Sequence, residues 1–117
     1  MLLEFDRLTY AVPLRSRITH SYCFIADNSN GENKGLDYSK SVVIAKTEYI
    51  DSNPVTIRQN EYNIYKKQEF NIKKKFSSYV KQYKKEIRRR LANPTLPVTA
   101  LCFYSSLKYF HKELGLL

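Results

Sequence analysis

From Gln59 to Leu91 the chain reads QNEYNIYKKQEFNIKKKFSSYVKQYKKEIRRRL. Tyr62, Tyr65, Ile72, Phe76, Tyr79, Val80, Tyr83, Ile87 and Leu91 fall mostly three or four residues apart, the repeat of one helix face, and no Pro or Gly interrupts them. This predicts one long helix, or two in tandem with a break near Phe70-Asn71. Asn93, Pro94 and Pro97 stop it. The opposite face carries Lys66, Lys67, Lys73, Lys74, Lys75, Lys81, Lys84, Lys85, Arg88, Arg89 and Arg90, with only Glu69 and Glu86 to offset them within those 25 residues. A merely solvated face would mix signs, because Glu-Lys pairs four residues apart stabilise a helix and Lys-Lys pairs do the reverse. The face therefore points to an anionic partner. Tyr65, Phe70, Tyr79 and Tyr83 lie among these cations and could stack on unpaired bases, but their spacing is that of core residues.

Strands flank the helix. Leu2, Leu3 and Phe5, then Leu8, Tyr10 and Val12, surround Asp6-Arg7 and predict a tight hairpin. Residues 15–40 read as mostly loop, since Asp27 to Gly35 has no apolar side chain and holds two of the three glycines. Ser41 to Lys46 reads as a buried strand, Glu48 to Ile50 as its continuation or a short extra element, and Asp51 to Pro54 as a turn. Val98 to Phe103 reads as a last strand. Ser105 or Ser106 would cap a short terminal helix running through Leu114 and closed by Gly115. The order predicts an α+β fold, a small antiparallel sheet packed on helices, with residues 1–117 forming a single domain.

Twenty Lys and Arg against eleven Asp and Glu give a formal net charge of +9, which makes nucleic acid the first partner to consider, ahead of an acidic protein or a membrane surface. No apolar run approaches membrane-spanning length and Met1 to Arg7 is not a signal peptide, so a cytoplasmic protein with no membrane partner is expected. Cys23 and Cys102 sit among apolar neighbours and read as buried thiols. The sequence has no CxxC, no metal-spaced Cys/His pair, no carboxylate cluster, no P-loop and no dinucleotide fingerprint, so neither metal nor cofactor is expected.

The segment Tyr10-Ala11-Val12-Pro13-Leu14-Arg15-Ser16-Arg17-Ile18-Thr19-His20 runs from an apolar strand into a polar cluster at the lip of a sheet. Cutting RNA without a metal requires charge neutralisation at phosphorus, which Arg and hydroxyl donors supply, and proton transfer, which His can supply. Arg15, Ser16 and His20 are the candidate catalytic residues. Arg17, Thr19, Lys40, Lys66, Lys73, Lys74, Lys81, Lys84, Lys85 and Arg88 are the candidate RNA-binding ones. An ordinary strand-to-loop exit is the alternative. Ser16 has no GxSxG context, so serine-hydrolase chemistry is not supported.

Several blocks occur in a common order: Leu2-Leu3-Glu4-Phe5, Tyr10 to Ser16, Gly35-Leu36-Asp37-Tyr38-Ser39-Lys40, the long helix, and Cys102-Phe103-Tyr104-Ser105-Ser106-Leu107. In these the chain resembles the toxins of type III toxin–antitoxin systems, the ToxN/AbiQ/CptN/TenpN group. The resemblance implies a strongly bent antiparallel sheet like the MazF barrel, with one long basic helix and a short C-terminal helix. It also implies a sequence-selective, metal-independent endoribonuclease of a phage-defence system, acting through 2′-OH attack on single-stranded RNA. A small repeat RNA would be its antitoxin, and an RNA-bridged homo-oligomer its assembly. Ser16 matches the family's Pro-Leu-x-Ser loop. Arg15 stands where Thr or Ser is common, and Ile18 where some members place Lys. The family's usual leading strand and helix, with a Tyr and a Lys of the site, precede the position where this chain starts, so an N-terminally truncated domain is expected. A non-catalytic RNA-binding remnant is the alternative, and a basic protein binding an acidic partner a third reading.

Overall fold

A computed structural model describes residues 1–44 and 59–116 of the chain. The expected strand residues Ala45, Lys46 and Glu48 to Ile50, the turn Asp51 to Pro54 and the side chain of Tyr62 lie outside the described residues. The architecture is mixed α and β, with two three-stranded antiparallel sheets and a long helix. In the first sheet, β1 (Leu2–Phe5), β2 (Leu8–Ala11) and β6 (Val42–Ile44) lie in the order β1-β2-β6; in the second, β3 (Leu14–Arg15), β5 (Lys34–Asp37) and β4 (Cys23–Asp27) lie in the order β3-β5-β4.

The two sheets share their chains. Tyr10 faces Val43 across β2 and β6, whereas Leu14 faces Leu36 across β3 and β5. Between these pairs one strand advances four residues and the other seven. The surplus is a 3-10 turn, Tyr38–Lys40. Pro13 stands opposite it and cannot donate to a ladder, but its carbonyl still accepts the Asp37 N–H at 3.0 Å. A ladder that would have been straight is thereby bent at Pro13.

The hairpin at Asp6-Arg7 forms as expected. Phe5 pairs with Leu8, and both turn residues have positive φ, 53° and 66°, the type I′ geometry that matches strand twist. Half of the stretch 15–40, expected to be mostly loop, is loop, at residues 16–22 and 28–33; the other half is the end of β3, β4, β5 and the 3-10 turn. Cys23-Phe24-Ile25-Ala26 is the apolar run that builds β4, and Gly35 hides β5. A Cβ on Gly35 would lie 1.9 Å from the Phe24 carbonyl oxygen, so only glycine permits this approach of the strands.

Helix α1 (Gln59–Lys67) leads into α2 (Glu69–Ala92), with the break at Gln68 rather than Phe70-Asn71. Gln68 Oε1 accepts from Asn71 Nδ2 across the break. Asn93 leaves helical geometry because the following Pro94 disfavours it. Ile72, Phe76, Tyr79, Val80, Tyr83 and Ile87 are buried, as the periodicity predicts, and Leu91 is exposed. Phe76 packs edge-on to Tyr10 at 4.9 Å between centroids and lies 5.3 Å from Tyr38, joining the helix to the first sheet and to the turn between the sheets. Tyr38 also donates its hydroxyl to the Ile72 carbonyl at 3.1 Å.

The expected strand at Val98 to Phe103 is a helix, α3 (Ala100–Tyr104). Thr99 caps it by accepting the Cys102 N–H at 3.3 Å, a capping role that outweighs the strand preference of Val98 and Thr99. Ser105 then caps a 3-10 turn, Ser106–Tyr109. A further turn closes where Leu116 N–H bonds the His111 carbonyl, Gly115 N–H bonds the Lys112 carbonyl, and Gly115 takes φ 73°, a Schellman closure. Cys23 and Cys102 are buried free thiols.

Two outcomes test this packing. Arg7 holds a left-handed backbone that suits glycine, so Arg7→Gly should raise stability by about 0.5–1 kcal/mol, read by thermal denaturation; a lowered melting temperature would contradict the turn geometry. Burial, helped at Tyr10 by Asp6 and at Tyr83 by Cys102, pushes both hydroxyls up to about 12, and burial raises those of Tyr38 and Tyr79 as well. These groups are raised above their unfolded value near 10, so the stability they contribute is full below about pH 10 and is lost as pH climbs through the folded values. Helical circular dichroism should fall as the buried tyrosines ionise above about pH 10. Complete tyrosine ionisation with the helix intact would refute it.

Candidate functional site

The bend at Pro13 gathers polar side chains around one carboxylate. Asp37, with 1% of its surface exposed, ends β5 and caps the 3-10 turn. Its Oδ1 accepts from the Ser39 N–H at 3.0 Å and the Ser39 hydroxyl at 2.6 Å. Its Oδ2 accepts from Arg15 Nη1 at 3.2 Å, while His20 Nε2 lies 3.1 Å from Oδ1. A carboxylate this deep needs such donors to offset lost hydration.

The candidate proton donor His20 is held on both ring nitrogens. Nδ1 accepts the Tyr22 N–H at 3.1 Å, so it carries a lone pair and the ring proton sits on Nε2. That proton points to Asp37, with Ser39 Oγ 3.3 Å away. As arranged, His20 fixes the loop between β3 and β4 and presents neither nitrogen freely to a substrate.

Arg15 is half-exposed, so its guanidinium keeps donors for a ligand. It enters an open groove lined by Leu14, Arg15, Ser16, Arg17, Glu32, Lys34, Gly35 and Tyr65. Ser16 is exposed there, with no bonding partner among the described residues. Arg17 takes a left-handed φ of 58° and reaches Glu32 at 3.1 Å, an exposed pair of little strength. Ile18 is buried, which accounts for an apolar residue at a position where a lysine would have to be desolvated. Thr19, His20 and Lys40 do not line this groove; Thr19 and Lys40 are exposed beyond it.

The cations of α2 form a second region. Lys81, Lys84, Lys85, Arg88, Arg89 and Ala92 line another open groove. Lys84 reaches Asp6 at 3.5 Å, tying the β1-β2 turn to the helix, and Lys81 lies over the Phe5 ring at 5.8 Å. Among the described residues no other helix cation forms an ion pair. Lys66, Lys73 and Lys74 are exposed farther toward the N-terminal side. Lys75 instead donates to the Cys23 carbonyl at 2.9 Å, fastening α2 to β4. Glu86 bonds Thr99 and Cys102. Burial works against its ionisation, but donors from Thr99, Gln82 and Cys102, aided by Arg89, hold its carboxyl below the usual range. Tyr65, Tyr79 and Tyr83 are buried core rings; Phe70 alone of the four interleaved rings is exposed.

Arg15 and His20 thus meet at Asp37, and Arg15, Ser16 and Arg17 meet in one groove. Among the described residues, the basic groove on α2 shares no lining residue with it. Asp37, Ser39, Glu32 and Lys34 also belong to the site, beyond the residues expected from the sequence. Asp37-Tyr38-Ser39 carried a usable signal, since an Asp two residues before a Ser commonly bonds its backbone N–H in a turn. Glu32 and Lys34 carried none, because they reach the groove only through the pairing of β5 with β3.

No family model, curated protein or solved structure matches the chain. No described helix is long and apolar enough to cross a membrane.

Replacing Asp37 by Asn keeps its shape but removes a charged acceptor from Arg15 and His20. Asp37→Asn should lower stability by roughly 2 kcal/mol in chemical denaturation. An unchanged denaturation midpoint would mean the carboxylate does not organise the bend.

Proposed function

We propose that this protein binds single-stranded RNA, with the basic ridge of α2 following the phosphate backbone. The observation that carries the reading is the groove of Lys81, Lys84, Lys85, Arg88 and Arg89, where among the described residues only Lys84 forms an ion pair, with Asp6, and Arg89 alone feels Glu86. Phe70 adds an exposed ring to the start of the same helix. The toxin-like sequence blocks agree with an RNA partner, including a small repeat RNA that would bridge copies of the chain. The bent ladder at Pro13 supports a barrel-like sheet of the MazF kind.

A second reading adds endoribonuclease activity. It is favoured by the groove that puts Arg15, Ser16 and Arg17 beside Glu32 and Lys34. The RNA 2′-oxygen would attack phosphorus and break the bond to the 5′ oxygen, leaving a 2′,3′-cyclic phosphate and a 5′-OH. Arg15, Lys34 and the Ser16 hydroxyl would stabilise the phosphorane charge, and Glu32 could take the 2′-OH proton. His20 could protonate the leaving oxygen only after its Nε2–H leaves Asp37 and Ser39. That double tether favours binding without cutting as the resting activity.

Each phosphate contact on a single strand lowers the slope of log affinity against log salt by about 0.7. Four contacts predict a slope near −3, and Lys81→Glu/Lys85→Glu/Arg88→Glu should remove most of it and most of the binding. A salt-independent complex, or one unaffected by the triple change, would reject the ridge. End-mapping of RNA incubated in EDTA tests cleavage: the catalytic reading expects cyclic phosphate ends that disappear in Ser16→Ala and Glu32→Gln. Wild-type RNA left intact leaves the binding reading alone.

A further inference from the structure

The C-terminal segment turns three rings outward. Leu101, Cys102 and Leu107 are buried, while Phe103, Tyr104 and Tyr109 are 60%, 64% and 74% exposed. Phe103 and Tyr104 meet edge to face at 4.9 Å, which keeps part of each ring face clear. Lys108 sits among them, its ammonium 5.6 Å from the Phe103 centroid and 5.3 Å from that of Tyr109. It also donates to the Phe103 carbonyl at 3.2 Å and has no ion-pair partner among the described residues. Isolated exposed rings need no explanation, but two rings on one cation with a third ring packed against the first form a patch with chemistry of its own.

The geometry points to a stacking platform in which Phe103 and Tyr109, held on Lys108, and Tyr104, packed on Phe103, take unpaired nucleobases. This rests on the RNA reading and adds to it where the bases go. Stacking needs open π-faces, which the rings supply, and a cation near the base to meet its phosphate, which Lys108 supplies. An apolar protein partner would gain nothing from an unpaired ammonium at the centre of its contact. An acidic polymer with aromatic faces uses both, and the chain's +9 charge favours that partner. The platform lies on α3 and the following turn, so it is separate from the α2 ridge and can be altered without touching those lysines.

The chain has no tryptophan, so Tyr109→Trp places a single indole reporter in the platform. Titration with a short single-stranded oligoadenylate should quench it, and inorganic polyphosphate should not. Tyr104→Ala and Tyr109→Ala should each lower oligoadenylate affinity about 5- to 150-fold per lost stack, leaving polyphosphate affinity unchanged. Thermal denaturation of each variant verifies the fold. Oligoadenylate binding that keeps its full strength in both variants, with no quenching, overturns the platform and leaves the ridge standing. Equal losses for oligoadenylate and polyphosphate also overturn it, since the patch would then act only through charge. Concentration-dependent dimerisation abolished by the ring changes would make the surface a protein contact instead. Wild type that binds neither ligand removes the RNA reading itself, and the platform with it.

Discussion

The bend of the sheet depends on one buried carboxylate. Asp37 takes four donors from three separate parts of the chain: Arg15 on β3, His20 in the loop after it, and the backbone and side chain of Ser39. Without it, the turn that absorbs the register surplus loses its cap, and β3 loses its polar link to β5. Burying a charge opposes folding unless donors surround it. Here the same donors set the path of the segment from Arg15 to Tyr22. The fold and the candidate groove therefore share one cause, since Arg15 can reach into the groove only while Asp37 holds its other side.

Charge is segregated with similar economy. The apolar stripe of α2 closes on Tyr10, Tyr38 and the sheets, which leaves the lysines between its core residues at the margin of the stripe or facing solvent. Three of them do structural tasks at the margins of the stripe: Lys75 on the Cys23 carbonyl, Lys84 on Asp6 and Lys81 above Phe5. Glu86, one of two carboxylates in the run, is drawn toward α3 by Thr99. The ridge is thus left with little negative charge of its own.

The long helix was legible because its periodicity is a local property. Ile72 to Ile87 fell on one face as the spacing requires, and the hairpin followed from two apolar triplets around a two-residue turn. The second sheet was not legible. β5 contains Lys34, Gly35, Leu36 and Asp37, none of which suggests a strand alone; the pairing with Phe24 and Leu14 makes it one. Helix α3 was misread because Thr99 and Val98 favour strands by shape while Thr99 caps helices by chemistry. In the candidate site, Arg15, Ser16, Arg17 and His20 were visible as a polar cluster. Their partner Asp37 lies 22 residues beyond Arg15, and only tertiary pairing brings it there.

The three-residue turn at Tyr38–Lys40 has a consequence for how this chain tolerates changes of length. Residues of a strand alternate between its two sides, so an odd surplus exchanges them: odd-numbered Val43 faces inward on β6, and even-numbered Leu36 does so on β5. Removing or adding one residue at this turn would turn the inward row of one sheet outward, whereas a change of two would keep both rows in place. Parity, more than loop length, constrains the bend.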